Sequence, residues 1–164
     1  MVRRGLPKLL QLLSSLTGLK DLSLTTNGIL LQKYAQELKD AGLKRLNISI
    51  DTLDEQKFKQ ITRYGRLADV LRGIDVALEK GFFVKLNVVI MKGINDNEIL
   101  DFARFAQTRG MVVRFIELMP MAGDSLASQD LYVSSKEIKE KLRLLGNLKR
   151  IVSSDFGNGP AQYY

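Results

Sequence analysis

Lys85 lies in the middle of the apolar run FFVKLNVVI, and it is the residue whose chemistry most needs an explanation. An unpaired ammonium buried in a strand costs several kcal/mol, so Lys85 must meet an anion. That anion is either an acidic neighbour such as Glu117 or a bound phosphate or carboxylate. Thr25 and Ser49 place hydroxyls near the ends of two other apolar runs, where they either cap the next turn or touch a ligand. Met119, directly before Pro120, reads on its own as a filler of irregular packing space. Asn27-Gly28 is a turn signal.

Several chemistries are closed to this sequence. Its 164 residues include no cysteine and no histidine, which removes thiolate nucleophiles, imidazole acid–base work, disulfides and the usual zinc and iron–sulfur ligands. GxxxxGK[ST] and GxGxxG phosphate loops are absent as well. A net charge of +7 suits a phosphate-bearing ligand, but the basic residues are scattered, which argues against nucleic acid as a partner. The apolar stretch around Leu86 to Met91 is far below the ~20 residues that cross a bilayer. With no signal-peptide pattern at the start, the expectation is a cytoplasmic protein without membrane contact.

The elements that position these side chains are legible from periodicity. Leu6, Leu9, Leu10 and Leu13 recur at helical spacing before Gly18, and Leu31, Tyr34, Ala35, Leu38 and Ala41 precede Gly42. Leu67, Val70, Leu71 and Ile74 lead to Gly81, and Ile99, Phe102, Ala103 and Ala106 lead to Gly110, with Asp96 or Asn97 as the N-cap. Each glycine is followed by a strand-like run: Leu22 to Thr25, Arg45 to Ile50, Phe83 to Ile90 and Val112 to Met119. Helix, glycine, strand repeated four times predicts right-handed βαβ units in a parallel sheet. Shorter helices are expected over Glu55 to Thr62 and Ser134 to Leu144, with a loop at Gly123, Asp124 and Ser125 and a weak strand at Leu148 to Val152.

Side chains alternate across a strand, so parity separates two faces. Leu22, Leu24, Leu46, Ile48, Ile50, Val84, Leu86, Val88 and Ile90 form the face that packs on helices, with Val112, Ile116 and Leu118 assigned to it. The other parity carries Ser23, Thr25, Asn47, Ser49, Asp51, Lys85 and Asn87, with Phe115, Glu117 and Met119. A polar lining of this kind predicts a wide or open barrel with ligand inside, and Asn47, Asn87 and Glu117 are cavity-lining candidates. Arg114 falls on the helix-facing parity, so it either snorkels to a sheet end or marks a register error in the last strand. A competing pattern is a leucine-rich repeat: Leu19, Leu22, Leu24, Asn27 and Ile29 are repeated 24 residues later as Leu43, Leu46, Ile48, Asp51 and Leu53. The next copy falls on the helical stretch from Leu67, and a solenoid needs ~3 or more stacked repeats.

At these strand ends the sequence resembles the radical S-adenosylmethionine (SAM) family of GTP 3′,8-cyclases of molybdenum cofactor biosynthesis. The matching stretches are LTTNG (Leu24 to Gly28), DAGLKRLNISIDTLD (Asp40 to Asp54), VKLNVVIMKGINDNEI (Val84 to Ile99) and RFIELMP (Arg114 to Pro120). VRRGLP near the start resembles the residues after that family's GGEP motif, and GPAQYY resembles the lead into its second cluster-binding region. The fold implied is α/β, a partial parallel (β/α) barrel of radical SAM type with about four of six strands present. Residues 1–120 would be the partial barrel and 121–164 the start of the following region. The resemblance implies GTP contacts at Thr25 and Lys85 and SAM contacts at Ser49 and Met119.

It also implies a lyase that uses SAM and two 4Fe–4S clusters to convert GTP into a cyclic pterin precursor intermediate, forms homodimers and hands its product to the next pathway enzyme. The family's first cluster is held by C-x-x-x-C-x-x-C upstream of GGEP and its second by three later cysteines. Neither set occurs here, so the resemblance implies a piece cut between them that is inactive alone. Other radical SAM enzymes, and a non-catalytic binding or scaffold module, are the alternative readings.

Overall fold

The computed structural model describes residues 4–119, 130–151 and 161–164. Four parallel strands, β1 (Ser23–Thr26), β2 (Arg45–Ser49), β3 (Phe83–Ile90) and β4 (Val112–Glu117), lie side by side in chain order. The helices are α1 (Leu6–Ser14), α2 (Leu31–Asp40), α3 (Glu55–Thr62), α4 (Leu67–Glu79), α5 (Ile99–Thr108) and α6 (Ser135–Leu142), followed by a short 3₁₀ turn, Arg143–Leu145. This sequential order is what repeated right-handed βαβ units produce, and it forms an open portion of a (β/α) barrel. The two-copy leucine-rich pattern does not form a solenoid, because α4, thirteen residues long, stands where a third repeat would begin.

The helices form where apolar residues fall on one stripe. Leu31, Ala35 and Leu38 of α2 are buried at spacings of four and three, and Leu67, Val70, Ile74 and Ala77 repeat this on α4. These stripes pack on Leu46, Ile48, Val84, Leu86, Val88 and Ile90, so the core lies between the helices and one face of the sheet. Helix starts are fixed locally: Asp54 accepts hydrogen bonds from the backbone N–H groups of Gln56 and Lys57, and Ser134 with Glu137 forms a capping box. The expected N-cap of α5 is corrected. Glu98 takes that place, because Asp96 is engaged with Gly93 and Lys141, and Asn97 accepts from Lys57.

Glycine is required where α4 crosses the β1–α2 turn. Gly28 has φ 79°, and a Cβ on Gly73 would overlap the Gly28 carbonyl oxygen. The turn is closed by Thr26, whose buried Oγ1 accepts from Gly28 N at 3.2 Å.

The expected division at residue 120 and the loop at Gly123, Asp124 and Ser125 lie outside the described residues, as do Val2, Arg3 and Pro120. Beyond them α6 packs on α5 and β4. The expected strand at 148–152 is reduced to a single antiparallel bridge between Ile151 and Tyr163, with Val152 outside the description. Among the described residues no helix is long and apolar enough to cross a membrane.

Candidate functional site

Sheet register places the polar residues in rows. Thr25, Asn47, Lys85 and Val112 are direct partners across the four strands, and Ser49, Asn87 and Arg114 form the next row toward the strand carboxyl ends. Rows two residues apart on one face are separated by about 6.6 Å, and neighbouring strands by about 4.8 Å. Thr25 and Lys85 therefore stand roughly 10 Å apart with Asn47 between them. Ser49 belongs to the adjoining row.

The register corrects the face assigned to β4. Leu86 pairs with Val113, Val88 with Phe115 and Ile90 with Glu117, which puts Phe115 and Glu117 on the helix-packing face. Arg114 pairs with Asn87 and joins the polar face, so of the two readings of its parity the register error is the right one. Glu117 is thus removed from the cavity lining. Its carboxylate accepts from Ser135 N at the start of α6, and that bond outweighs partial burial in holding its pKa below the ordinary range. Asn47 and Asn87 stand on the polar face of the sheet, Asn47 as the register partner of Lys85.

Lys85 is 2% exposed, and its partner is not Glu117. Its Nζ donates to the Tyr163 hydroxyl at 2.7 Å and lies 4.9 Å from the centre of that ring, with the Phe83 ring at 5.9 Å. Burial alone would raise the pKa of Tyr163. Hydrogen bonds from Lys85 and Arg114, together with their positive charges, override it and lower the value. Sequence reasoning missed Tyr163 as a member of this site, and its only signal was the GPAQYY stretch.

Thr25 and Ser49 are exposed, and the capping bonds at the adjoining turns come from Thr26 and Thr52 instead. Met119 lies beyond the end of β4 and is 76% exposed. Above the polar rows, Asp51 accepts from Val89 N, and Asn95 donates to the carbonyls of Asp51 and Val89 while accepting from Met91 N. These bonds hold the chain leaving β2 against the end of β3. Burial raises the Asp51 pKa despite the Val89 bond.

Two buried polar atoms on the polar face, Asn87 Oδ1 and Arg114 Nε, have no hydrogen-bond partner among the described residues. They are neighbours in register, one acceptor and one donor, so a polar ligand seated over that row would satisfy both. Among the described residues no cluster of acidic, cysteine or histidine side chains could hold a metal ion.

Residues 1–106 match the Radical SAM superfamily. The chain belongs to this superfamily. Among its relatives, the GTP 3′,8-cyclase of Alkaliphilus oremlandii is 45% identical over 165 residues, covering 100% of this chain and 50% of the relative. That of Thermodesulfovibrio yellowstonii is 43% identical, covering 100% and 51%. That of Moorella thermoacetica is 50% identical over 143 residues, covering 87% and 44%. The chain spans about half the length of the curated relatives it matches. The solved structure of TYW1 with a lysine–pyruvate adduct bound overlays at a TM-score of 0.56 and 17% identity, over 83% of this chain and 44% of that one. That overlay supports the radical SAM (β/α) architecture.

The polar face of this sheet fits a ligand with donors and acceptors of its own. Iron–sulfur ligation does not fit these residues, because the sequence holds no cysteine thiolate.

Proposed function

We propose that this chain is part of a GTP 3′,8-cyclase, a lyase of molybdenum cofactor biosynthesis that converts GTP to the cyclic pterin precursor intermediate. The observation that carries this reading is the row Thr25–Asn47–Lys85, a buried ammonium and a hydroxyl on one face of the sheet. It is supported by relatives of that name at 43–50% identity.

In this reading Lys85 and Thr25 bind GTP, with Lys85 matched to phosphate oxygens by charge-assisted hydrogen bonds. Ser49 and Met119 hold SAM at the carboxyl ends of the strands, and Asn47 and Asn87 line the space between. SAM and a reducing 4Fe–4S cluster supply radical chemistry when bound. The residues of this chain orient the two ligands and keep water from the space between them. With no cysteine in the sequence, the two 4Fe–4S clusters require ligands that this chain does not contain, and the 164 residues alone are inactive.

Residues 1–120 supply the partial barrel and 121–164 the opening of the next region. The complete enzyme is placed in the cytoplasm, as a homodimer that passes its product to the following enzyme of the pathway.

Calorimetric titration of the folded chain with GTP tests the reading. Saturable binding is expected, weakened about 10-fold or more by Lys85→Gln, the size of one lost hydrogen bond between charged groups. Absence of GTP binding in folded protein, or equal affinity in the variant, would sink it.

A further inference from the structure

The Lys85–Tyr163 contact joins a strand near the middle of the chain to a segment 78 residues away. Residues 161–164 carry alternating side chains in two directions. Tyr163 reaches Lys85 and Arg114 on the cavity side, whereas Gln162 and Tyr164 meet Lys139 on α6. Among the described residues the segment makes one backbone bond, Ile151 N to Tyr163 O at 2.9 Å, in an isolated bridge. Isolated bridges open more readily than continuous ladders.

The Tyr163 hydroxyl is the oxygen toward which an ammonium and a guanidinium converge. Two cations aimed at one oxygen favour an anion over a neutral phenol, since a phosphate accepts from both with full charge assistance. We infer that Tyr163 is a displaceable strap: its hydroxyl occupies the anion seat between Lys85 and Arg114, and a phosphate group entering that seat expels it. Ligand phosphate and the docked 161–164 segment then exclude one another, and the ring that leaves uncovers the cavity mouth beside β4. The inference rests on the proposed reading of Lys85 as a phosphate contact.

The charged groups around Tyr163 make the exchange measurable. Lys85 on β3 and Arg114 on β4 lower its pKa against the effect of burial, and Lys139 on α6 is turned to Tyr164. Among the five tyrosines one should ionise below the rest in an ultraviolet tyrosinate titration, and that component should vanish in Tyr163→Phe. Sodium tripolyphosphate is the probe. It should move the low component up to the ordinary tyrosine range in the wild-type chain, and it should bind Tyr163→Phe about five-fold more tightly, the worth of one net hydrogen bond no longer to be broken.

Tripolyphosphate that binds without moving the titration, or binds the variant more weakly, would show that Tyr163 helps to hold the ligand and overturn the strap. Failure of either protein to bind tripolyphosphate would overturn it as well. If tripolyphosphate displaces Tyr163 and GTP does not, the strap stands and the GTP reading falls.

Discussion

Both carboxylate oxygens of Glu98 lie 2.9 Å from the Thr52 hydroxyl, tying the first residue before α5 to the loop between β2 and α3. The same carboxylate accepts from Leu53 N at 2.7 Å and from Lys57 Nζ at 2.8 Å, and Glu98 is buried. Two donors from this loop and one from the first turn of α3, on one buried anion, hold the carboxyl ends of β2 and β3 in fixed relation. Ser49 ends β2, and Asn87 is its register partner on β3.

Glu98→Ala strands these donors and should cost about 2–4 kcal/mol of folding stability. Urea unfolding with an unchanged slope would measure it. A loss below about 0.5 kcal/mol, the range of an ordinary surface change, would show that the clamp carries no weight.

Gly73→Ala should reverse the usual rule. In a helix interior alanine is more favourable than glycine by about 1 kcal/mol. Here the new methyl would overlap the Gly28 carbonyl oxygen, which belongs to backbone and cannot rotate aside. Forcing α4 away from the β1–α2 turn should cost about 1–3 kcal/mol and lower the melting temperature. A melting temperature equal to or above that of the parent protein would contradict the close approach.

Asp51 gives a pH dependence whose sign follows from burial. Its folded pKa is raised above the ordinary 3.8, with burial the larger cause and the Val89 N–H bond opposing it. The folded state therefore holds the proton more tightly than the unfolded chain. Stability contributed by protonated Asp51 is complete below 3.8 and lost as pH rises through the raised value. Asp51→Asn keeps an oxygen for Val89 N and has no charge to bury, so its stability relative to the parent should improve between about pH 3.5 and pH 7. Parallel thermal melts across that range check it, and a difference independent of pH would refute it.

Much of this arrangement was legible because residues 23–25 of β1, all of β2 and residues 84–88 of β3 alternate between apolar and polar side chains. β4 was not, for a physical reason. Its residues from Val112 to Glu117 are all half-buried, as expected of an edge strand partly covered on both faces, so Val-Val-Arg-Phe-Ile carries no phase. Pairing with β3 alone fixes which side Arg114 takes, and pairing is not written in local sequence. Tyr163 was hidden for another reason: its contact with Lys85 crosses 78 residues and follows from tertiary packing, with no spacing to announce it. The demand that Lys85 find a partner was readable from desolvation cost; the partner's identity was not.

β1 leaves one further consequence. Among the described residues it pairs only with β2, so its outer edge presents unpaired backbone donors and acceptors. Leu12, Leu16 and Leu19, which precede it, are 60%, 56% and 44% exposed. An open strand edge beside exposed leucines is a template for association. The isolated chain should therefore show concentration-dependent mass in sedimentation velocity at micromolar concentrations. Replacing Leu16 and Leu19 together by lysine should shift it toward monomer, because a charge beside the edge must be desolvated before another strand can pair there. A parent chain that stays monomeric and melts cooperatively over the same concentrations would show that the edge is protected by something other than a second molecule.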